Sequence, residues 1–278
     1  MHPNHATKSN HSRSAMLSPS EIEAGEYPVL VCLLGHVVLL KETQPISLRS
    51  GSRTEALLYT LGLNFGSGVP RDALLQMLWP DSDSALAKHS LHSLIYSLHK
   101  LLGDGLAGAT PVLFADGRYR FNAEAGISVD VQCFDALADS GDQQVLVNNP
   151  RLASDYYIRA ASLYHGDLAF GTDVHAVIER ERLRAHYLTI LARLSDYYFD
   201  EAAYTRCLTY AHRLLAHDAC REDAHRQVMR CNVRMGERAQ ALRQYRLCES
   251  ILLAEFGARP EAATTALYDQ ARLTPASV

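Results

Sequence analysis

Apolar residues recur along this chain with two periods, and the change of period divides it. Val29–Leu34 and His36–Leu40 are short β-rich runs separated by Gly35, and Gln44–Leu48 is a third, entered through a proline compatible with a sheet edge. From Arg53 to Phe65 the period lengthens to that of a helix, with Ala56, Leu57, Leu61 and Leu63 on one broad face, and Gly66-Ser67-Gly68 stops it. Val69-Pro70-Arg71-Asp72 opens a second helix with Pro70 in its first turn, a favoured place for proline. That helix carries Leu74, Leu75, Met77 and Leu78 and ends at Trp79-Pro80. A third helix runs from Ser84 to Gly103, with N-cap residues in Asp81–Ser84 and an apolar face of Leu91, Leu94, Ile95, Leu98, Leu101 and Leu102. Pro111–Phe114 and Arg118–Phe121 then read as two strands joined by the turn Ala115-Asp116-Gly117.

Beyond this point the pattern is helical almost throughout. Ala138–Pro150 is polar, with Ser140-Gly141-Asp142 and Asn148-Asn149-Pro150, and reads as a linker or a loose helix–loop passage. Helices are expected over Tyr156–Tyr164 and Val174–Tyr198; the breakers are Gly166, Gly171, Gly236, Gly257 and Pro260. An internal repeat follows. At an offset of 34 residues Leu194 falls on Val228, Cys207 on Ala241, Leu208 on Leu242 and Ala211 on Tyr245. Each copy is a helix, a short break and a helix, which is the period of tetratricopeptide-type helical pairs. Stacked pairs of this kind present a concave surface suited to protein binding or self-association; a bundle present only for stability is the alternative.

Composition narrows the class. With 278 residues, 47% hydrophobic and 21% charged, the chain is long enough for two domains with their own cores. A net charge of −4 means that any nucleic-acid surface is local. The six cysteines form no CxxC pair or Cys/His cluster, so reduced thiols are expected rather than zinc or a disulfide framework. No apolar run has the length of a membrane span, and residues 1–26 read as a disordered tail rather than a signal peptide. Nucleophile elbows, HExxH motifs and glycine-rich phosphate loops are absent, so no catalytic residue, cofactor or metal is expected.

The third helix carries the candidate chemistry. Opposite its apolar face His89, Ser93, Tyr96 and Lys100 form a polar stripe flanked by His92 and Ser97, and no acid occurs from Ser84 to Gly103. Such a face suits an anionic partner, DNA first; an ordinary solvated surface helix is the alternative. Three helices followed by a hairpin make a winged-helix order, in which the third helix enters the major groove and the hairpin touches backbone or minor groove. Arg118 and Arg120 share one face of the second hairpin strand, which suits phosphate oxygens.

The chain resembles the bacterial regulators that couple an OmpR-like winged helix to a bacterial transcriptional activator domain, the Streptomyces antibiotic regulatory protein type. The matching residues in the first half are Arg53-x-x-Ala-Leu-Leu58, Val69-x-Arg-Asp-x-Leu74 through Leu78-Trp79-Pro80, Leu91-x-x-Leu-x-x-x-Leu-x-Lys-x-Leu-Gly103, Gly117-x-Tyr-Arg-Phe121 and Asp130-Val131-x-x-Phe134. In the second half they are Leu163-Tyr-x-Gly-Asp167, Glu179-x-Glu-Arg-Leu183, Arg221-Glu-Asp-Ala-His225 and Met235-Gly-Glu-Arg-Ala-x-Ala-Leu-x-x-Tyr245. The resemblance implies a mainly α protein with a small β part: a disordered tail (1–26), a winged-helix DNA-binding domain (27–135), a linker (136–150), an all-α tetratricopeptide-like activator domain (151–273) and a short tail (274–278). It implies a sequence-specific regulator of cytoplasmic location, an activator, that binds tandem promoter sites on double-stranded DNA and contacts RNA polymerase; the missing motifs speak against catalysis, and the repeat half suits a homodimer on DNA while the oligomeric state stays open. The DNA contacts it implies are Lys88, His89, His92, Ser93, Tyr96, Lys100, Arg118 and Arg120. Where relatives carry several arginines this helix has Tyr96, Ser97 and His99, and residues 27–130 hold 8 Lys/Arg against 9 Asp/Glu. A helical-repeat adaptor whose winged helix binds DNA weakly or not at all is therefore the competing reading.

Overall fold

The computed structural model describes residues 27–168 and 174–275. The tail expected at 1–26, residues 276–278 and the breaker Gly171 lie outside the described residues. No helix among the described residues is long and apolar enough to cross a membrane.

The chain opens with β1 (Val29–Cys32), β2 (Val38–Lys41) and β3 (Gln44–Ile46), an antiparallel meander. A strand not read from the sequence, Ile127–Val129, joins it in parallel beside β1, giving a four-stranded sheet with that strand at one edge. Three residues are too few to show a period, and their place in the sheet depends on a partner almost a hundred residues away. Helix α1 (Arg53–Leu63) is capped by Ser52, whose hydroxyl accepts from the Glu55 N–H, while the Glu55 carboxylate accepts from Gly51 N–H at 2.6 Å. Helix α2 covers Arg71–Leu78 and α3 covers Ser84–Leu102. Pro70 is not inside α2, as the sequence implied, but is its N-cap. With Val69 it forms a two-residue strand, β4, paired to the second hairpin strand through Val69↔Tyr119 and Pro70↔Arg118. A proline fits there because β4 lies at the edge of its sheet.

The hairpin is β5 (Val112–Ala115) and β6 (Arg118–Phe121). Asp116 and Gly117 both have positive φ, 52° and 74°, the conformation of a two-residue primed turn that matches strand twist. Residues Ile127–Val129 (β7) lead directly into α4 (Asp130–Leu146), which is followed after three residues by α5 (Pro150–Leu163). The expected linker at 136–150 is thus mostly helix. Gly141, which read as a break, is buried where α5 crosses α4: a Cβ there would run into the Tyr157 ring, and the Tyr157 hydroxyl donates to Asp142 at 2.6 Å.

Helices α6 (Val174–Asp200), α7 (Tyr204–His217), α8 (Glu222–Arg234), α9 (Arg238–Phe256) and α10 (Ala262–Leu273) complete the chain. Each packs on the next, and α10 closes against both α8 and α9. The 34-residue offset is visible in burial. Leu194 and Val228, Cys207 and Ala241, and Ala211 and Tyr245 are buried pairs, and Leu208 and Leu242 are both half-buried. One buried cluster spans β1 to Cys231, and a smaller one of Met229, Ala241, Tyr245 and Leu267 holds α8, α9 and α10 together.

The winged helix and the repeats are joined without a gap. Asp130, at the start of α4, is fully buried and accepts hydrogen bonds from Leu33 N–H (2.8 Å) and Leu34 N–H (2.9 Å). Phe134 packs on Tyr164 and His186, Tyr164 stacks on Tyr187 at 4.1 Å, and Arg182 grips Asp135 through both arms at 2.8 and 3.0 Å.

Candidate nucleic-acid interface

The surface that could meet a nucleic acid is built on α3. Asp83 caps the helix, accepting from Ala85 N–H at 2.8 Å and more loosely from Leu86 N–H at 3.4 Å. Ala87, Leu91, Leu98 and Leu102 are buried in the common core, with Leu94 and Ile95 at the margin. At 3.6 residues per turn that anchorage leaves the opposite arc to solvent. His89, His92, Ser93, Tyr96 and Lys100 all lie on it, and Lys88 sits half-buried at its edge. Leu101, read from the sequence as part of the apolar face, is 39% exposed. The Lys100 ammonium lies 5.0 Å from the Tyr96 ring centroid, so the two side chains form one cationic–aromatic unit at the C-terminal end of the stripe. Ser97 Oγ donates to the Ser93 carbonyl at 2.9 Å.

The hairpin is held to the same core by its inward residues. Tyr119 and Phe121 are buried; Tyr119 packs on Phe114 at 4.6 Å and Phe121 on Phe65 at 6.3 Å. Strand alternation then puts Arg118 and Arg120 outward, and both are exposed. Arg118 Nε donates to the Ser67 carbonyl at 3.1 Å, which steadies its guanidinium beside the body of the domain. The α3 stripe and the wing arginines are thus two separate exposed surfaces carried on one buried cluster, to which Leu91 and Phe121 both belong.

Sequence reading missed a third part. A cleft of about 720 Å³ separates the turn 49–53 from α3 and is lined by Arg49, Ser52, Arg53, Ser90, Ser93 and Ser97. The capped N-terminus of α1 opens onto it, and such helix ends favour anions. Arg53 is fixed by donation from Nε to the Leu78 carbonyl at 3.1 Å and by its position 5.3 Å from the Trp79 ring. Some forty residues separate the two walls, so no local pattern could have joined them.

Burial also changes the charge balance. Of the nine acids between 27 and 130, Glu55 and Asp130 are buried, which leaves seven facing solvent against eight Lys/Arg. Burial pushes the Asp130 carboxyl up to about 7, against the pull of the Leu34 and Leu33 N–H groups.

Similarity to known proteins bears on most of the chain. The sequence pattern of the Bacterial transcriptional activator domain matches residues 129–272, beginning where β7 runs into α4. Among solved structures, Mycobacterium tuberculosis EmbR in complex with a low-affinity phosphopeptide has 20% identity and a TM-score of 0.65 over 89% of this chain. The present chain spans 65% of that protein's length. At this identity the likeness establishes the fold: a winged helix followed by helical repeats. The TPR-containing C-terminal domain of a Plasmodium falciparum FK506-binding protein has 15% identity over 53% of this chain and 93% of its own, with a TM-score of 0.40. No protein with a curated description matches the sequence.

Proposed function

The chain belongs to the bacterial transcriptional activator domain family, and from that premise we propose that it is a sequence-specific DNA-binding activator of transcription. Helix α3 lies in the major groove with His89, His92, Ser93 and Tyr96 toward base edges, while Lys88, Lys100, Arg118 and Arg120 take phosphates. Neighbouring protomers occupy tandem promoter sites, and the helical repeats contact RNA polymerase. The protein acts by binding rather than by catalysis. The observation that carries this reading is the exposed face of α3: nineteen residues without one acid, capped and buried on the other side, beside a wing with two outward arginines.

The near balance of exposed charge favours one competing reading, an adaptor whose winged helix has little affinity for DNA. Fluorescence anisotropy on duplex DNA from the chain's own upstream region separates the two. Wild type is expected to bind with salt-dependent affinity, and Lys100→Ala and Arg120→Ala to weaken it. Salt-independent binding, or two variants that bind as well as wild type, would replace the activator reading with the adaptor.

A further inference from the structure

The meander of β1, β2 and β3 has two faces, and only one belongs to the winged-helix core. Leu33 points at Gly62 of α1, where a Cβ would crowd its Cδ1 atom, so Leu34 points the other way. On that second side, between the sheet and the end of α5, lies a cavity of about 410 Å³. Leu34, Val38 and Leu40 make the sheet wall and Leu163 the helix wall, and the polar residues on its lining are His36, Thr43, Asp130 and His165. The approach of Gly35 to the His165 main chain bounds one end; Gly35 has φ of 106°, and a Cβ there would sit 3.3 Å from the His165 carbonyl carbon.

The size falls in the range of about 300–1,000 Å³ typical of small-molecule sites, and so does the character, mostly apolar with a few polar groups. Among the described residues no Lys or Arg lines the cavity, so a carboxylate or phosphate would find no fixed positive charge there and only the imidazoles of His36 and His165 as bases. Asp130 is already engaged by main-chain N–H groups, Leu33 reaching both carboxylate oxygens, Leu34 one of them, and the Val131 and Asp130 N–H groups adding to these, so its acceptor sites are taken within the fold. We propose that this cavity binds an uncharged, largely apolar small molecule whose rings or chains lie against Val38, Leu40 and Leu163. Such a molecule touches the sheet of the winged helix and the repeats at once. This site is independent of the DNA reading, since neither Val38 nor Leu40 is on α3 or the wing.

The test uses the full chain and N-phenyl-naphthylamine, a neutral fluorescent probe with one N–H, alongside its sulfonated analogue anilinonaphthalene sulfonate. The neutral probe is expected to bind saturably at one site per chain, and the sulfonate about tenfold or more weaker. Val38→Trp and Leu40→Trp, which fill the cavity from the sheet, are expected to abolish neutral-probe binding while leaving circular dichroism and DNA affinity unchanged. In the unmutated protein, methyl resonances of Val38, Leu40 and Leu163 shift on titration, a readout that needs no variant. The proposal is overturned if the full chain does not bind the probe, if both tryptophan variants fold and still bind, if the sulfonate binds equally well, or if the methyl shifts fall instead at the exposed Leu247 and Leu253. Loss of DNA binding in a variant that also loses the probe would mark misfolding, and the methyl shifts of the wild type then decide.

Discussion

The proposed interface has few cations, and that fixes how its affinity must respond to salt. Four candidate phosphate contacts are available per chain: Lys88, Lys100, Arg118 and Arg120. Each neutralised phosphate contributes about 0.9 to the slope of log affinity against log salt, so one protomer is limited to a slope of about 3.6. Raising salt fourfold, from about 50 to about 200 mM, should then weaken a single protomer about 150-fold, below the roughly 10³–10⁵ expected for a protein with six to ten phosphate contacts. Arg120→Ala removes one exposed contact and should lower the slope by about 0.9; Lys100→Ala should do the same and also release the ammonium from the Tyr96 ring. A duplex with two adjacent sites should roughly double the slope if neighbouring protomers bind together. The assay is anisotropy across a salt series on one-site and two-site duplexes. Slopes unchanged in both variants would remove α3 and the wing from the interface. A one-site wild-type slope well above 4 would mean that Arg49 and Arg53, across the 720 Å³ cleft, also lie on phosphates.

The other predictions concern the frame that holds this surface. The Asp130 carboxyl titrates near 7 in the folded chain against 3.8 when free, so the folded state holds the proton more tightly and this group's contribution to stability is lost as pH rises from about 4 through about 7. Denaturant unfolding at pH 5 and pH 8 should show about 3 kcal/mol of such loss in wild type, at roughly 1.4 kcal/mol per unit, and none of that component in Asp130→Asn; identical pH dependence in the two proteins would refute it. Gly141→Ala should destabilise by about 1–3 kcal/mol because its methyl meets the Tyr157 ring, even though alanine is intrinsically the better helix former by about 1 kcal/mol; a raised melting temperature would show that α4 and α5 are not packed as described. Hydrogen exchange should be fastest in α9 and α10, whose own core is the small cluster of Met229, Ala241, Tyr245 and Leu267, and slowest in β1, α1 and α3, whose inward residues sit in the large one. Equal protection across all of these elements would contradict that division.

What the sequence made legible was set by distance along the chain. The α3 helix was read to within a residue because its cap, its period and its stop are all local, and the hairpin because Asp116-Gly117 is turn chemistry in itself. The 34-residue repeat was legible because equivalent positions share the same burial. The misses came from contacts between distant segments. Pro70 looks like the first turn of a helix until β6 supplies its strand partner. Gly141 looks like a linker residue until Tyr157 is placed against it. The candidate residues follow the same rule: the stripe of His89, Ser93, Tyr96 and Lys100 could be read from one helix, whereas the Arg49–Arg53 turn joins the site only when α1 folds beside α3.

The missing linker has a mechanical consequence. A flexible stretch at 136–150 would have let the winged helix swing relative to the repeats, and a signal sensed by one half would then reach the other by changing that angle. Instead the residue that opens α4, Asp130, is bonded to the end of β1, and five residues later Asp135 is gripped by Arg182 of α6. Phe134 between them is fully buried against Tyr164 and His186. With side chains from both halves in one buried cluster, α3 is oriented by the repeats rather than tethered to them. If two protomers pair through their repeats on adjacent sites, as proposed, they present their two α3 helices at a fixed separation, and a near-neutral winged helix then gains affinity from effective concentration rather than from added positive charge. On this geometry the spacing between sites matters as much as their sequence, since a rigid pair cannot follow half-sites moved to the other side of the duplex.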